Sequence, residues 1–269
     1  MSYFKGLSLD GKIALVIGGN SGIGKAIAMG LVEAGADVVA VSRRAEAVHK
    51  TAEEIRALGR RTMEITADVT NRAELDRMAD AMVKEFGRID ILVNSAGTTK
   101  RVPTLEMLDE DWDRIMNTNL SGVWRACQVV GRVMKQQNYG RIINIGSLTC
   151  FMGSFEAAAY TASKGGVLLL TRSLAVELAK YNITVNVIAP GFFVTPLNSG
   201  VLKDKARAGY ALAHTPMGRF GKVEELQGAA IFLASDSASF VTGASISVDG
   251  GYIVQGVGEG VLPLAQPKV

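Results

Sequence analysis

The sequence predicts an α/β fold: one domain in which a doubly wound parallel sheet carries helices on both faces. Three observations predict it. Short β-branched runs alternate with segments of helical periodicity from Ile13 onward, the pattern of repeated strand, helix, strand units. The first run, Ile13 to Ile17, passes directly into a glycine-rich turn and then an apolar helix. The 269 residues are 48% apolar with only six prolines, enough for a single large core.

In chain order, the strand Ile13 to Ile17 leads through Gly18, Gly19, Asn20, Ser21, Gly22, Ile23 and Gly24 to a helix carrying Ala26, Ile27, Leu31 and Val32. Glycines let a backbone turn tightly and approach a pyrophosphate, whose charge is favoured by the amides and dipole of a helix N-terminus. A glycine-rich turn alone is often only a turn; between a strand and a helix, a phosphate site is the better reading. The second strand, Asp37 to Val41, ends at Ser42, Arg43 and Arg44. In a Rossmann-type fold a carboxylate here would bond the ribose 2′-hydroxyl of NAD, whereas arginine accommodates the 2′-phosphate of NADP. No carboxylate is present, so Arg43 favours NADP, with NAD as the second option, over a solvated arginine pair. There follow a helix from Ala45 to Leu58, a third strand from Arg61 to Thr66, a capping box at Asn71 and Glu74, and a fourth strand from Ile89 to Val93.

The chemistry lies between Asn144 and Lys164. Ser147 follows the strand-like run Arg141 to Ile145, where strand ends open onto the ligand crevice of such a sheet. Tyr160 and Lys164 are four residues apart and share a helix face. A tyrosine with its ordinary pKa of about 10 is a poor base at neutral pH, and a fixed ammonium beside it pulls that value down. Tyr-x-x-x-Lys alone occurs by chance on many helices. Preceded by Ser147, it resembles the catalytic core of the short-chain dehydrogenase/reductase family.

That resemblance implies Tyr160 as acid or base, Lys164 as the group that lowers its pKa and anchors the ribose, and Ser147 as the group that polarises the carbonyl. Asn119, in Asn119-Leu120-Ser121-Gly122, would hold a water linking Lys164 to solvent. It further implies that Gly18-x-x-x-Gly22-x-Gly24 is the family's glycine motif, although Ile17 stands where threonine is usual. Asp68 and Val69 would hold the adenine. Asn94, Ala96 and Gly97 would lie close to the cofactor, with Ser95 in place of a second asparagine. Pro190 and Gly191 are expected at the nicotinamide, Phe193 at its carboxamide through the backbone, and Thr195 near the pyrophosphate.

The helix from Ala158 to Tyr181 is apolar on nearly every face beyond Lys164, which fits burial against the sheet and a partner subunit; a homotetramer is the implied assembly. One dinucleotide-binding and catalytic domain is expected over 1–252, with a helical lid at about 196–214, a helix around Glu224 to Leu233 and a strand from Ala244 to Val248. A tail over 253–269 is expected to cross to a neighbouring subunit.

Within the family the chain looks most like the gluconate 5-dehydrogenase branch. The likeness rests on Lys100-Arg101-Val102-Pro103, on Ile145-Gly146-Ser147-Leu148-Thr149, and on Thr215-Pro216 with Arg219. Arg101 is then the candidate to hold a substrate carboxylate by a bidentate bond, with Ser147, Thr149 and Tyr160 also on the substrate; the plainer alternative is an arginine on an exposed loop. Lys100 and Val102 replace the branch's second arginine and its histidine.

The expected activity is hydride transfer between nicotinamide and a secondary alcohol or ketone, a sugar acid or polyol such as gluconate and 5-ketogluconate. A 3-oxoacyl-carrier-protein reductase or broad carbonyl reductase is the enzymatic alternative. A non-catalytic NADPH-binding regulator is an alternative of another class, against which the four intact catalytic residues count. A net charge of +3 with scattered basic residues argues against nucleic acid. No run approaches the roughly 20 apolar residues that span a bilayer, and Met1 to Asp10 does not resemble a signal peptide, so no membrane partner and a cytoplasmic location are expected. The two cysteines, Cys127 and Cys150, fit a reducing compartment. His49 and His214 are too few for a metal cluster, and no catalytic metal is expected.

Overall fold

The computed structural model describes residues 6–195 and 204–256. Six strands form one sheet: β1 (Ile13–Ile17), β2 (Asp37–Val41), β3 (Ile91–Asn94), β4 (Gly140–Ile145), β5 (Ile183–Pro190) and β6 (Ser245–Val248). Their order is β2-β1-β3-β4-β5-β6, and every neighbouring pair is parallel. Parallel neighbours need crossover connections, supplied by helices α1 (Gly22–Glu33), α2 (Ala45–Ala57), α3 (Arg72–Phe86), α4 (Asp109–Met116), α5 (Gly122–Gln137), α6 (Ala158–Leu178), α7 (Lys205–Ala213) and α8 (Gln227–Ala234).

Both faces of the sheet are covered, which is why its strands read as unbroken apolar runs. Ile13, Leu15 and Ile17 of β1 enter one core with Leu75 and Met78 of α3, Val130 of α5 and Val167 of α6. The alternate residues Ala14 and Val16 enter a second core with Ile27 and Leu31 of α1 and Ala230 and Leu233 of α8. The chain passes from β1 to β2 on one side and to β3 on the other, so the crevice at the C-terminal ends of β1 and β3 is the switch point where such sheets bind ligands.

Several sequence expectations are corrected. The segment Arg61 to Thr66 is not a ladder strand. It touches the sheet edge through an isolated bridge between Ser42 and Thr66 and through the Val38 N–H to the Arg61 carbonyl at 3.2 Å. The Arg61 N–H goes instead to the Asp37 carboxylate at 2.8 Å, which draws the segment out of register. The strand expected from Ile89 starts at Ile91, because the Ile89 N–H donates to Gln137 Oε1. At the start of α3, Asn71 accepts from the Glu74 N–H, but the Glu74 carboxylate accepts from the Asp68 N–H at 2.9 Å rather than closing the reciprocal box. Helix α4 ends at Met116 and the chain continues as a π-turn, Asn117–Ser121.

Of the lid expected over 196–214, residues 196–203 lie outside the described residues, as does the tail beyond Gly256; 205–213 form α7. Among the described residues no helix is long and apolar enough to cross a membrane.

Candidate active site

The C-terminal ends of the strands open into a cleft of about 650 Å³. At one end the glycine turn forms a cradle that only hydrogen can line. Gly18 has φ +82°, and a Cβ there would meet the Ala96 nitrogen at 2.6 Å; one on Gly24 would meet the Gly18 carbonyl oxygen at 2.2 Å. Turn and neighbouring strand are therefore in van der Waals contact through bare backbone, and the N-terminus of α1 faces the cleft through Ser21, Gly22, Ile23 and Gly24. Asn20 is not on the cleft wall. It is buried and braces the turn by donating to the Ala40 carbonyl at 3.3 Å.

Beyond the turn, Ser42, Arg43, Arg44, Asp68 and Val69 line the cleft together. The Ser42 hydroxyl oxygen is buried without a hydrogen-bond partner, while the Arg43 side chain is 77% exposed and its Nη1 lies 3.5 Å from Asp68. Burial raises the Asp68 pKa, but the Thr70 amide and hydroxyl and the Arg43 charge outweigh it and leave the carboxyl below its ordinary value. A backbone cradle at a helix N-terminus, with an unpartnered hydroxyl and an exposed guanidinium further along, fits a dinucleotide bearing a 2′-phosphate.

At the other end, Ser147, Thr149, Tyr160 and Lys164 line the same cleft. Ser147 leaves β4 with extended backbone, and its Oγ accepts from the Thr149 N–H at 3.2 Å. The Thr149 hydroxyl oxygen is buried without a partner. Lys164 is 5% exposed; its Nζ donates to the Ile145 carbonyl at 2.7 Å and lies 5.8 Å from the centre of the Tyr160 ring. Burial pushes the Tyr160 phenol above its ordinary value, opposed by the Ser147 hydroxyl and by the Arg101 charge. Burial also lowers the Lys164 pKa to about 8. In this geometry the groups that oppose burial at Tyr160 are Ser147 and Arg101, and the Lys164 ammonium donates to a backbone carbonyl.

Lys164 makes a stability prediction. Between about pH 8 and 10.5 the unfolded chain holds a proton at this lysine that the folded chain has lost, so stability rises with pH across that window and the gain is gone below it. Relative to Lys164→Met, the wild type should gain up to about 3 kcal/mol over the window. Urea titrations of both proteins at about pH 7.5 and pH 9.5 check this; parallel behaviour would contradict it.

The side chains of Asn119 and Phe193 are both buried. Asn119 is fully buried in the π-turn. Its Oδ1 accepts from the Thr98 N–H at 2.8 Å, and its Nδ2 donates to the Thr98 carbonyl and to Ser163 Oγ. The side chain therefore fastens the loop after β3, while a Cβ on Gly97 would touch both Asn119 Oδ1 and Lys164 Nζ. A π-turn adds a residue to the helix and carries Asn119 to that loop. Phe193 turns away from the cleft: it is 2% exposed, bridges to Gly221 and walls a separate cavity of about 350 Å³ with Arg219 and Asp249. Pro190, Gly191 and Thr195 do line the cleft. Asn94 is buried, donating to Asn144 Oδ1 at 2.8 Å; Asn144 in turn donates to Thr171 Oγ1, tying the middle of the sheet to α6. Ala96 and Gly97 are at the cleft wall.

Around the mouth the described residues show how each cation is held. Lys100 and Arg114 share Asp111. Arg207 of α7, which sequence reasoning missed, donates to Glu156 at 2.6 Å and lies 3.2 Å from Asp204. Arg101 bonds only the Phe155 carbonyl, at 2.9 Å, and burial, then the Arg207 charge, hold its pKa below the ordinary arginine value. Asp204, three residues before it, is a local partner, but nothing in the local pattern at Arg207 marks its pairing with Glu156, which comes from a loop fifty-one residues away.

A family model described as Enoyl-(Acyl carrier protein) reductase matches residues 17–253. The chain is 41% identical over 249 residues to 2-dehydro-3-deoxy-D-gluconate 5-dehydrogenase of Dickeya dadantii, covering 92% of this chain and 98% of that protein. It is 42% identical over 245 residues to a 3-oxoacyl-[acyl-carrier-protein] reductase of Salmonella typhimurium, covering 91% and 98%. A gluconate 5-dehydrogenase from Burkholderia cenocepacia, solved in complex with NADP and tartrate, superposes with a TM-score of 0.91 at 39% identity, covering 93% of this chain and 98% of that one. Fold, cleft and relatives agree that the chain belongs to the short-chain dehydrogenase/reductase family, as a dehydrogenase or reductase acting on CH–OH groups.

Proposed function

We propose that the chain is an NADP-dependent oxidoreductase that interconverts a secondary alcohol and a ketone in a sugar acid or polyol, gluconate and 5-ketogluconate being the favoured pair. The observation that carries the substrate class is Arg101: among the described residues it is the cleft-mouth cation without a carboxylate partner. Its Nε and Nη2 make no hydrogen bond to described residues, which leaves one edge of the guanidinium for a substrate carboxylate. NADP rather than NAD is supported by Ser42 and Arg43 at the end of β2 and by the cradle above.

Bound NADP supplies or accepts the hydride. Tyr160 exchanges the proton with the substrate oxygen, and its raised pKa keeps the phenol protonated at neutral pH, as ketone reduction requires. Ser147 holds the same oxygen, Thr149 offers its unpartnered hydroxyl to the substrate, Lys164 binds the ribose, and Asn119 supports the relay to solvent. Assembly as a homotetramer is supported by apolar side chains on the outer faces of α5 and α6, where Trp124, Leu169 and Val176 are 43%, 65% and 84% exposed. A cytoplasmic location is supported by the two cysteines, Cys127 and Cys150, which are free thiols as in a reducing compartment.

Arg101→Ala tests the substrate class. With NADPH as reductant, its KM for 5-ketogluconate should rise about 10- to 100-fold, the worth of a charge-assisted bond, while a neutral keto sugar is unaffected. Equal changes for both would contradict the assignment. A second reading, reduction of a 3-oxoacyl thioester, is favoured by the exposed Phe151, Met152 and Phe155 on the loop between β4 and α6, an apolar rim that suits an acyl chain. Preferential turnover of a 3-oxoacyl thioester would select it.

A further inference from the structure

The charges at the substrate end are matched one by one, and that matching carries a consequence for which acids the cleft admits. Glu156 is central to it. It is a non-glycine residue in the left-handed region, with φ +57°, a conformation that costs energy and persists where the surroundings require it. The surroundings here are three contacts around one dipeptide. The Glu156 carbonyl accepts from the Val102 N–H at 3.0 Å, the Phe155 carbonyl accepts from Arg101, and the Glu156 carboxylate accepts from Arg207 Nη2. Arg207 also lies 6.0 Å from the Phe155 ring centre. The strained turn thus sets a carboxylate between two guanidiniums that both face the cleft.

We propose that Glu156 is a specificity-determining residue: by neutralising Arg207 it limits the substrate end of the cleft to one negative charge, carried at Arg101. This rests on the sugar-acid reading above and narrows it to monocarboxylates without a phosphate ester or second carboxylate. A first carboxylate meets the free edge of Arg101. A second anionic group finds Lys100 and Arg114 already paired with Asp111, and Arg207 paired with Glu156 and Asp204. The Glu156 carboxylate is not on the cleft wall but is near enough to act on Arg101, and its like charge lowers the affinity for a second anion further, by about 10- to 100-fold.

Calorimetric titration of the full-length protein in complex with NADP tests this with gluconate, glucarate and 6-phosphogluconate, alongside turnover of gluconate. Wild type should bind gluconate at least about tenfold more tightly than either polyanion. Glu156→Gln leaves Arg207 only its half-exposed partner Asp204 and should bring all three within about threefold, whereas Arg207→Gln leaves Glu156 unopposed and should weaken gluconate and widen the gap. Wild-type binding of 6-phosphogluconate or glucarate as tight as that of gluconate overturns the proposal, as does an unchanged gap in Glu156→Gln. If that variant does not fold, an unchanged gap in Arg207→Gln overturns it. Gluconate binding with the expected gap but no turnover upholds the charge limit and overturns the reaction assigned above; absence of gluconate binding overturns both.

Discussion

Tyr160→Phe should lower kcat for ketone reduction by about 10²- to 10⁴-fold with little change in the Kd of NADPH. Removing one hydroxyl deletes the group proposed to deliver the proton, and general acid catalysis contributes about this much. The aromatic ring, and with it the packing against Lys164, stays. The pH profile supplies a second readout with a definite sign. Because burial lifts the Tyr160 phenol above its ordinary value, the protonated form needed for reduction persists through neutral and mildly alkaline pH, so the reduction rate should be flat there. Alcohol oxidation needs the phenolate and should climb with pH over the same range. Steady-state rates in both directions, together with fluorescence titration of NADPH, check this. A variant retaining more than about a tenth of wild-type kcat would remove Tyr160 from the mechanism.

Gly24→Ala is expected to weaken NADPH binding by about 10- to 100-fold and to destabilise the fold by about 1–3 kcal/mol. The new Cβ would stand 2.2 Å from the Gly18 carbonyl oxygen and 2.9 Å from Ser95 Oγ, and the first of these is backbone that cannot rotate aside. Relief requires the turn at Gly18, itself at φ +82°, to move away from α1, which opens the cradle. Gly131→Ala in α5 is the matching control, since a Cβ there meets nothing within 4 Å. That change should stabilise slightly, by about 0.5–1 kcal/mol, through helix propensity. Thermal melts with and without NADPH separate the two effects; equal cofactor-induced shifts in wild type and Gly24→Ala would show that the cradle does not hold the phosphates.

What could be read before folding is local. The runs that became β1, β2, β4 and β5 announce themselves through apolar content, the glycine turn through residue types between a strand and a helix, and the Tyr160–Lys164 pair through a four-residue spacing on one helix face. The segment Arg61 to Thr66 failed for an equally particular reason: its strand-like composition competes with an Asp37 side chain that claims its first N–H. The π-turn at Asn117–Ser121 and the inward rotation of Phe193 leave no periodic trace either.

The sequence by itself therefore determined the α/β architecture, the glycine turn between β1 and α1, and the presence of Ser147, Tyr160 and Lys164 at the end of one strand and along one helix, because covalent spacing and backbone periodicity set those relations. Only the tertiary structure decided which charges are free. Lys100 is tied to Asp111 and Arg207 to Glu156, fifty-one residues away in sequence, which leaves Arg101 without a carboxylate partner among the described residues. It also decided that burial raises the Tyr160 pKa and lowers that of Lys164 to about 8. Desolvation and ion pairing depend on which distant side chains arrive at the same place, and no local pattern records that.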